Sequence, residues 1–235
     1  MQRFQCAGCQ RVNGIMMRPL LFAMTAFFLA TSSCSKSNNI NILEKGNGCI
    51  GKLTIPVTSH GTLSDSDYTL INLLFITNGI RNSRYRYTRT YRDSVQVYNG
   101  IYDYRNVHII QYTNGLPIFI ESLNYEFKNG IFDSYAGRIT GGTHLNSTPI
   151  LTLGQLRKLF IDDIELFDHS GSQFKDSCIN AEFGYFNLND GTGNSSENLV
   201  KAWHLKPKFS YWPEAYYRDI EGQRIYYSNG IVTFR

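Results

Sequence analysis

Residues 107–138 read VHIIQYTNGLPIFIESLNYEFKNGIFDSYAGR, and the Asn-Gly pairs in and just before this stretch decide the fold. The pairs fall at 99–100, 114–115 and 129–130, so they are spaced 15 residues apart. Asn and Gly tolerate positive φ at both central positions of a tight turn, which makes this pair the strongest short-range signal for a β-hairpin. Three such turns predict a four-stranded antiparallel meander with strands at 85–98, 107–113, 118–127 and 131–139. Strands of about six to ten residues are expected.

An amphipathic helix is predicted ahead of the meander, over residues 65–77. A serine or aspartate at 64–66 is able to cap it, and Asn78-Gly79 is able to end it. Its apolar side chains recur at helical spacing: Tyr68, Ile71, Leu74 and Phe75. Because this stripe needs an apolar surface to pack on, we expect the helix to cover one side of the meander.

The second half of the chain repeats the mixture of helix and strand. Thr152 and Gln155 form a capping-box pattern for a helix that carries leucines and Phe160 on one side. Alternating apolar residues then predict strands at 179–185 and 199–205, followed by a hairpin at 215–227. The predicted class is α+β: an antiparallel meander with one covering helix, followed by a second, smaller α+β module.

The N-terminal region carries an export signal. Residues 20–30 (LLFAMTAFFLA) are apolar and uncharged, follow Arg18, and are too few to cross a bilayer. The next residues, Thr31-Ser32-Ser33-Cys34, resemble the lipobox of bacterial lipoproteins. The resemblance implies that residues 1–33 are a signal peptide, that Cys34 receives the lipid (diacylglycerol and palmitate), and that the protein is anchored to the bacterial cell envelope, at the outer membrane or cell surface. The alternative is an ordinary cleavable signal peptide.

Two cysteines remain in the exported body, Cys49 and Cys178. An oxidising compartment favours their pairing, with Cα atoms within about 7 Å. The alternative is two unpaired buried thiols. Residues 34–61 are interpreted as a lipid-anchored tether followed by a first strand.

Motifs for catalysis are missing from the sequence. No zinc-peptidase, serine-hydrolase, P-loop or dinucleotide-binding motif occurs. The densest group of acidic and histidine side chains, at 162–169, lies at a predicted helix end, where carboxylates usually face water. Without residues 1–33 the net charge is +1, which gives no electrostatic footprint for nucleic acid. We therefore predict no catalytic residue, no metal site and no cofactor, and a protein that is not an enzyme.

Residues 107–138 also resemble the FTP segment, the fungalysin/thermolysin propeptide segment of secreted metallopeptidase prodomains. The matching positions are Tyr112, Asn114, Gly115, Leu116, Pro117, Ile118, Phe119, Asn129 and Gly130. The helix, strand and hairpin that follow resemble a PepSY module, whose late hairpin is approximated by residues 215–225. The resemblance implies an FTP-like module at 62–141 and a PepSY-like module at 142–235.

The same resemblance implies a function. No peptidase domain accompanies the two modules in this sequence, so a module that inhibits or assists a peptidase in trans is expected. Tyrosine and arginine are favoured contact residues at protein interfaces, which makes five side chains of the first strand the candidate partner surface: Tyr85, Arg86, Tyr87, Tyr91 and Tyr98. The alternative is an envelope lipoprotein that binds a glycan or another envelope component on an aromatic sheet face.

Overall fold

The computed structural model describes residues 40–41, 48–192, 194 and 196–231, in which a ten-stranded, mostly antiparallel sheet carries three helices. The predicted mixture of helices with an antiparallel sheet is confirmed. In chain order the elements are β1 (Ile40–Asn41), β2 (Cys49–Leu53), α1 (Asp65–Thr77), β3 (Tyr85–Val97), β4 (Gly100–Thr113), β5 (Leu116–Lys128), β6 (Ile131–Ala136), α2 (Leu153–Asp168), α3 (Gly171–Phe174), β7 (Cys178–Asn187), β8 (Leu199–Pro207), β9 (Glu214–Arg218) and β10 (Arg224–Ser228).

The meander of β3 to β6 forms around the Asn-Gly turns, as predicted. Asn114 and Gly115 have φ angles of 50° and 75°, and Asn129 and Gly130 have 52° and 80°, as a type I′ turn requires. The bounds predicted for β3, 85–98, agree with the observed strand, whereas β4 and β5, with 14 and 13 residues, are longer than the strands predicted at 107–113 and 118–127. Two-residue turns use so little chain that almost all of each interval between them becomes strand.

Helix α1 covers one face of the meander, as predicted. Ser64 caps it by accepting a hydrogen bond from the Asp67 backbone N–H at 3.1 Å. Ile71 and Phe75 are fully buried in the first core cluster, which consists of Ile71, Phe75, Tyr85, Tyr87, Val107, Ile109, Leu123, Tyr125 and Phe127.

Helix α2 covers the second half of the sheet. Its capping box is formed: the Thr152 hydroxyl accepts from the Gln155 backbone N–H, and the Gln155 side chain accepts from the Thr152 backbone N–H. Burial of the helix stripe against the strands creates the second core cluster, which consists of Ile50, Leu156, Phe160, Ile164, Ile179, Ala181, Phe183, Trp203, Leu205, Ala215 and Tyr217.

A disulfide joins Cys49 to Cys178, with their Cα atoms 4.3 Å apart, so this prediction is confirmed. The two residues lie opposite each other at the start of the parallel pair formed by β2 and β7. The bond therefore fixes the first residue of β2 to the first residue of β7.

A second parallel contact joins the two halves of the sheet. Strand β5 pairs with β7 at Ile118–Tyr185 and Phe119–Phe186. The close approach depends on Gly184, because a Cβ at that position would lie 2.5 Å from the Pro117 carbonyl oxygen. The sequence did not predict this contact.

Strand β5 changes direction directly after its contact with β7. Ile120 has a φ angle of 68°, which is rare for a β-branched residue. The pairing of β4 with β5 also shifts register between Ile110 and Tyr112. These irregularities separate β5 from β7 and leave a groove between the two halves of the sheet.

Candidate functional site

The groove between the two halves is the candidate functional site. It encloses about 530 Å³ and lies on the sheet face that carries no helix. We call it the helix-free groove; its lining residues are Ile55, Arg86, Thr88, Arg89, His108, Ile109, Ile110, Pro117, Ile118, Phe119, Ile120, Ser122, Glu182, His204, Lys206 and Tyr216.

Strand alternation places the polar side chains of the groove. Tyr85 and Tyr87 point toward α1, so Arg86 between them points to the opposite face. Ala181 and Phe183 pack under α2, and Glu182 between them points into the groove by the same rule. The alternation of side chains along β3 and β7 therefore directs both charged side chains toward the groove.

Arg86 forms part of the groove floor. Arg86 is only 8% exposed, and its guanidinium carbon lies 5.6 Å from the centre of the Tyr112 ring. The Tyr112 hydroxyl in turn donates to the Ile55 carbonyl oxygen at 2.8 Å, which holds the ring in place. Within the described part of the chain, the buried Arg86 Nη1 has no hydrogen-bond partner.

Glu182 is the acidic counterpart on the floor. It is 9% exposed, and among the described residues its buried Oε1 finds no hydrogen-bond donor. Burial raises the pKa of Glu182 above its usual range, and the positive charges of Arg86, His204 and Lys206 oppose that rise. The two buried, oppositely charged groups therefore each retain an unsatisfied atom, an arrangement that costs free energy until something binds it.

The wall formed by β8 and β9 is rigidly ordered. His204 Nε2 and Glu214 Oε2 are 2.8 Å apart, and the His204 ring stacks on the Tyr216 ring with centroids 4.4 Å apart. Burial raises the pKa of Tyr216, so its hydroxyl stays protonated at neutral pH. Lys206 adds a positive charge to the same wall.

The wall formed by β3 and β4 is also basic. Arg89 Nη2 lies 3.4 Å from His108 Nε2, and burial, followed by the charge of Arg89, lowers the pKa of His108. His108 is therefore neutral at physiological pH. Besides the His204–Glu214 pair, the charged side chains that line the groove are Arg86, Arg89 and Lys206, together with Glu182.

The groove lacks the arrangements that chemistry needs. Its three hydroxyl residues are Thr88, which donates to the His108 carbonyl oxygen, Ser122 at the rim, and Tyr216, and no hydrogen bond joins any of these hydroxyls to a histidine ring in the described structure. Across the ranges that the structure describes, no three His, Cys, Asp or Glu side chains come together as metal ligands.

The structure places the residues of the predicted partner surface in different surroundings. Tyr85 and Tyr87 are 8% and 2% exposed and are covered by α1, so they offer little surface for contact with a partner. Arg86 lies in the groove floor. Tyr91, which is 47% exposed, and Tyr98, which is fully exposed, lie far along the β3–β4 hairpin and do not line the groove. The five residues do not form one surface.

Sequence reasoning missed the residues contributed by β7, β8 and β9. Glu182 lies between two core residues of a predicted strand, and His204 lies between Trp203 and Leu205 in the same way. A charged side chain in such a position must point to the opposite face of the sheet, which was the available signal. The pairing of β5 with β7 brings this face next to Arg86, and the sequence alone does not predict that pairing.

The predicted export features lie outside the described residues. These are the signal peptide at 1–33, the lipid attachment at Cys34, and residues 35–39 and 42–47 of the tether. In the part of the chain that is described, no helix has the length and apolar character needed to cross a bilayer.

Comparison with known proteins identifies no relative of this chain. No protein-family model matches the sequence, and a search of curated proteins returns no significant match.

Proposed function

We propose that the protein is an exported, lipid-anchored binding module that holds a peptide segment of an envelope partner in the helix-free groove. The observation that carries this proposal is the pair of buried, unsatisfied atoms on the groove floor, Arg86 Nη1 and Glu182 Oε1. Buried polar atoms without partners are rare in proteins and costly, and a bound ligand would satisfy both. The module acts by docking and performs no catalytic step.

Export and anchoring belong to the same proposal. The apolar segment at 20–30 and the small residues before Cys34 support removal of residues 1–33 and attachment of lipid to Cys34. The acyl chains hold the body at the envelope surface, at the outer membrane or cell exterior. The near-neutral body gives no support for a nucleic-acid partner.

A peptidase is the partner that the sequence favours. Residues 107–138 resemble the FTP segment, and α2 with β7 and the β9–β10 hairpin corresponds to the part that resembles PepSY. Prodomains of this kind bind peptidases, so an inhibitor or an assistant of an envelope peptidase in trans is proposed. A glycan-binding lipoprotein is the alternative, but the aromatic rings of the groove, Phe119 and Tyr216, are buried and offer little surface for stacking a sugar.

A blocked groove tests the proposal. Ser122 is exposed at the rim, so Ser122→Trp should fill the groove without disturbing either core cluster. The full chain in detergent is immobilised and exposed to envelope extract, and retained proteins are identified by mass spectrometry. We expect a peptidase that is retained by the wild type and lost with Ser122→Trp, and whose activity changes when the wild type is added.

Ser94→Trp, on the exposed hairpin outside the groove, is the matched control and should retain the partner. Equal retention by wild type and both variants would contradict the groove as the binding site. Retention of glycan with no protein would support the alternative. Hydrolysis of a substrate by the purified chain, abolished by one groove substitution, would overturn the non-enzymatic function.

A further inference from the structure

The floor of the helix-free groove carries two buried polar atoms that need different hydrogen-bond partners from a ligand. The Arg86 guanidinium offers a donor and therefore needs an acceptor, whereas Glu182 Oε1 needs a donor. The two residues lie in one groove and influence each other electrostatically, yet no hydrogen bond joins them in the described structure. A ligand that satisfies both must therefore present an acceptor together with an N–H or O–H group.

The charges around the groove floor indicate what kind of acceptor group the ligand carries. Arg86, Arg89 and Lys206 face the groove, and Glu182 is the one carboxylate among its lining residues. The excess of positive charge favours an anion, and a guanidinium matches the planar geometry of a carboxylate. A doubly charged group such as phosphate is disfavoured, since Glu182 would repel it at close range.

Apolar side chains form a large part of the remaining lining and fix the character of the ligand's body. They are those of Ile55, Ile110, Pro117, Ile118, Phe119 and Ile120. A volume of about 530 Å³ falls within the range of sites that bury small ligands almost completely. An apolar side chain fits this environment, whereas the hydroxyl groups of a sugar would lose their hydration without compensation.

We propose that the groove binds the C-terminal residue of a peptide, with its carboxylate on Arg86, its amide N–H donating to Glu182, and an apolar side chain among the isoleucines. This inference rests on the proposed function, in which the same groove holds the partner. A peptide C-terminus combines the anion, the neighbouring donor and the apolar group in one residue. An intact partner protein and a peptide released by cleavage both end in such a residue, so either is able to supply these groups.

Binding of short labelled peptides to the full chain in detergent tests the inference, with fluorescence anisotropy as the readout. One peptide ends in leucine with a free carboxylate, a second is its C-terminal amide, and a third ends in aspartate. We expect the free leucine acid to bind at least about tenfold more tightly than the amide and the aspartate peptide. Equal affinity of the acid and the amide would overturn the inference, and this comparison requires no variant.

Two variants assign the contact. With Arg86→Gln, the acid and the amide should bind equally, because the partner of the carboxylate is gone; a merely structural loss would weaken both and keep their ratio. Arg92→Gln, on the exposed hairpin, is the matched control and should keep the wild-type ratio. A protein fused to the same C-terminal sequence distinguishes the sources: binding equal to that of the free peptide indicates an intact partner, and binding of the free peptide alone indicates a released product.

The two proposals fail separately. If neither the acid nor the amide binds, but the envelope partner is still lost with Ser122→Trp, the C-terminal inference is wrong and the proposed function stands. If neither peptide binds and the partner is retained equally by wild type and Ser122→Trp, the proposed function itself is wrong.

Discussion

At the scale of single residues, Asp219 is the strongest polar connection in the second half of the chain. The residue is fully buried, and its carboxylate accepts hydrogen bonds from the backbone N–H groups of Ile150 and Leu151 and from Trp203 Nε1 at 2.8–3.1 Å. Lys201 Nζ lies 3.2 Å away. One carboxylate thus ties the segment that leads into α2 to strand β8 and to the end of β9.

Removal of this carboxylate should cost much of the stability. Asp219→Ala removes the counter-ion of Lys201 and the acceptor of several buried donors, so we expect the free energy of unfolding to fall by about 3–5 kcal/mol. Urea denaturation measures the change. Asp190→Ala, in an exposed loop, is the matched control and should stay within about 0.5 kcal/mol of the wild type. Similar losses for both variants would contradict the role of Asp219.

Glu182 should make stability depend on pH. Burial raises the pKa of Glu182, so above the ordinary carboxyl pKa the folded protein keeps a proton that the unfolded chain has already released. The folded state binds more protons in this window, and the free energy of unfolding therefore falls as pH rises. Arg86, His204 and Lys206 face the carboxylate and limit the effect without reversing it.

Glu182→Gln should remove this dependence and raise stability at neutral pH by about 1 kcal/mol, or about 2–4 °C in Tm. Thermal unfolding of both proteins between about pH 4 and pH 8 provides the measurement. Glu221→Gln, at an exposed turn, should leave the wild-type profile unchanged. A wild-type stability that rises with pH relative to Glu182→Gln would show that the sign is wrong.

Ile120 holds a strained backbone at the edge of the groove. A β-branched residue at a φ of 68° costs about 1–3 kcal/mol, and its side chain is 45% exposed, so it contributes little packing. Ile120→Gly should raise the free energy of unfolding by about 1 kcal/mol. Ile118→Gly, two residues earlier and fully buried, should lower it. A loss of stability from both changes would argue against strain at Ile120.

At the scale of elements, the local features were predictable and the long-range ones were not. The bounds of α1, the capping box of α2 and the turn at Asn114-Gly115 follow from residues within one or two turns of chain. The alternation in β3 separates tyrosines from arginines, but it does not say which set the helix covers, and the covered set proved to be Tyr85 and Tyr87.

The helix-free groove depends on a pairing between strands far apart in sequence. Ile118 lies beside Tyr185 because Gly184 lets β5 approach β7. Neither the turn signals nor the strand alternation encodes which distant strand is a neighbour. The alternation of each strand therefore predicts that the charged residues of the groove face away from the core. It does not predict that residues from different strands lie in the same groove.

The disulfide between β2 and β7 should contribute strongly to stability. It spans 129 residues of chain, and a closed loop of that size is worth about 2–5 kcal/mol on the chain-entropy account. We expect the double variant Cys49→Ser with Cys178→Ser to unfold at correspondingly lower urea concentration. Wild type in reductant should match the variant, and the variant should not respond to reductant. An unchanged wild-type transition in reductant would contradict the expectation.

At the scale of the whole molecule, the proposed lipid at Cys34 would place the groove at the envelope. Cys34→Ala should yield a soluble form or an unprocessed precursor, because the attachment point is lost. Fractionation of cells into membrane and soluble material, with mass spectrometry of the N-terminus, measures this. Ser35→Ala is the control and should leave the protein in the membrane fraction. A mature N-terminus elsewhere, without lipid, would contradict lipidation at Cys34.

The place of the disulfide has a mechanical consequence. When the body is pulled from its N-terminal side, tension first meets the two-residue strand β1, which pairs with β2, and then the first residue of β2. Cys49 stands at that residue and is bonded to Cys178, so the load passes through the sulfur bridge into β7. Strand β2 therefore cannot be unzipped from its end, and the load is delivered to a strand that is hydrogen-bonded to β2, β5 and β8. If the body is anchored as proposed, the bridge keeps β2 attached to β7, beside the groove, while the chain is under tension.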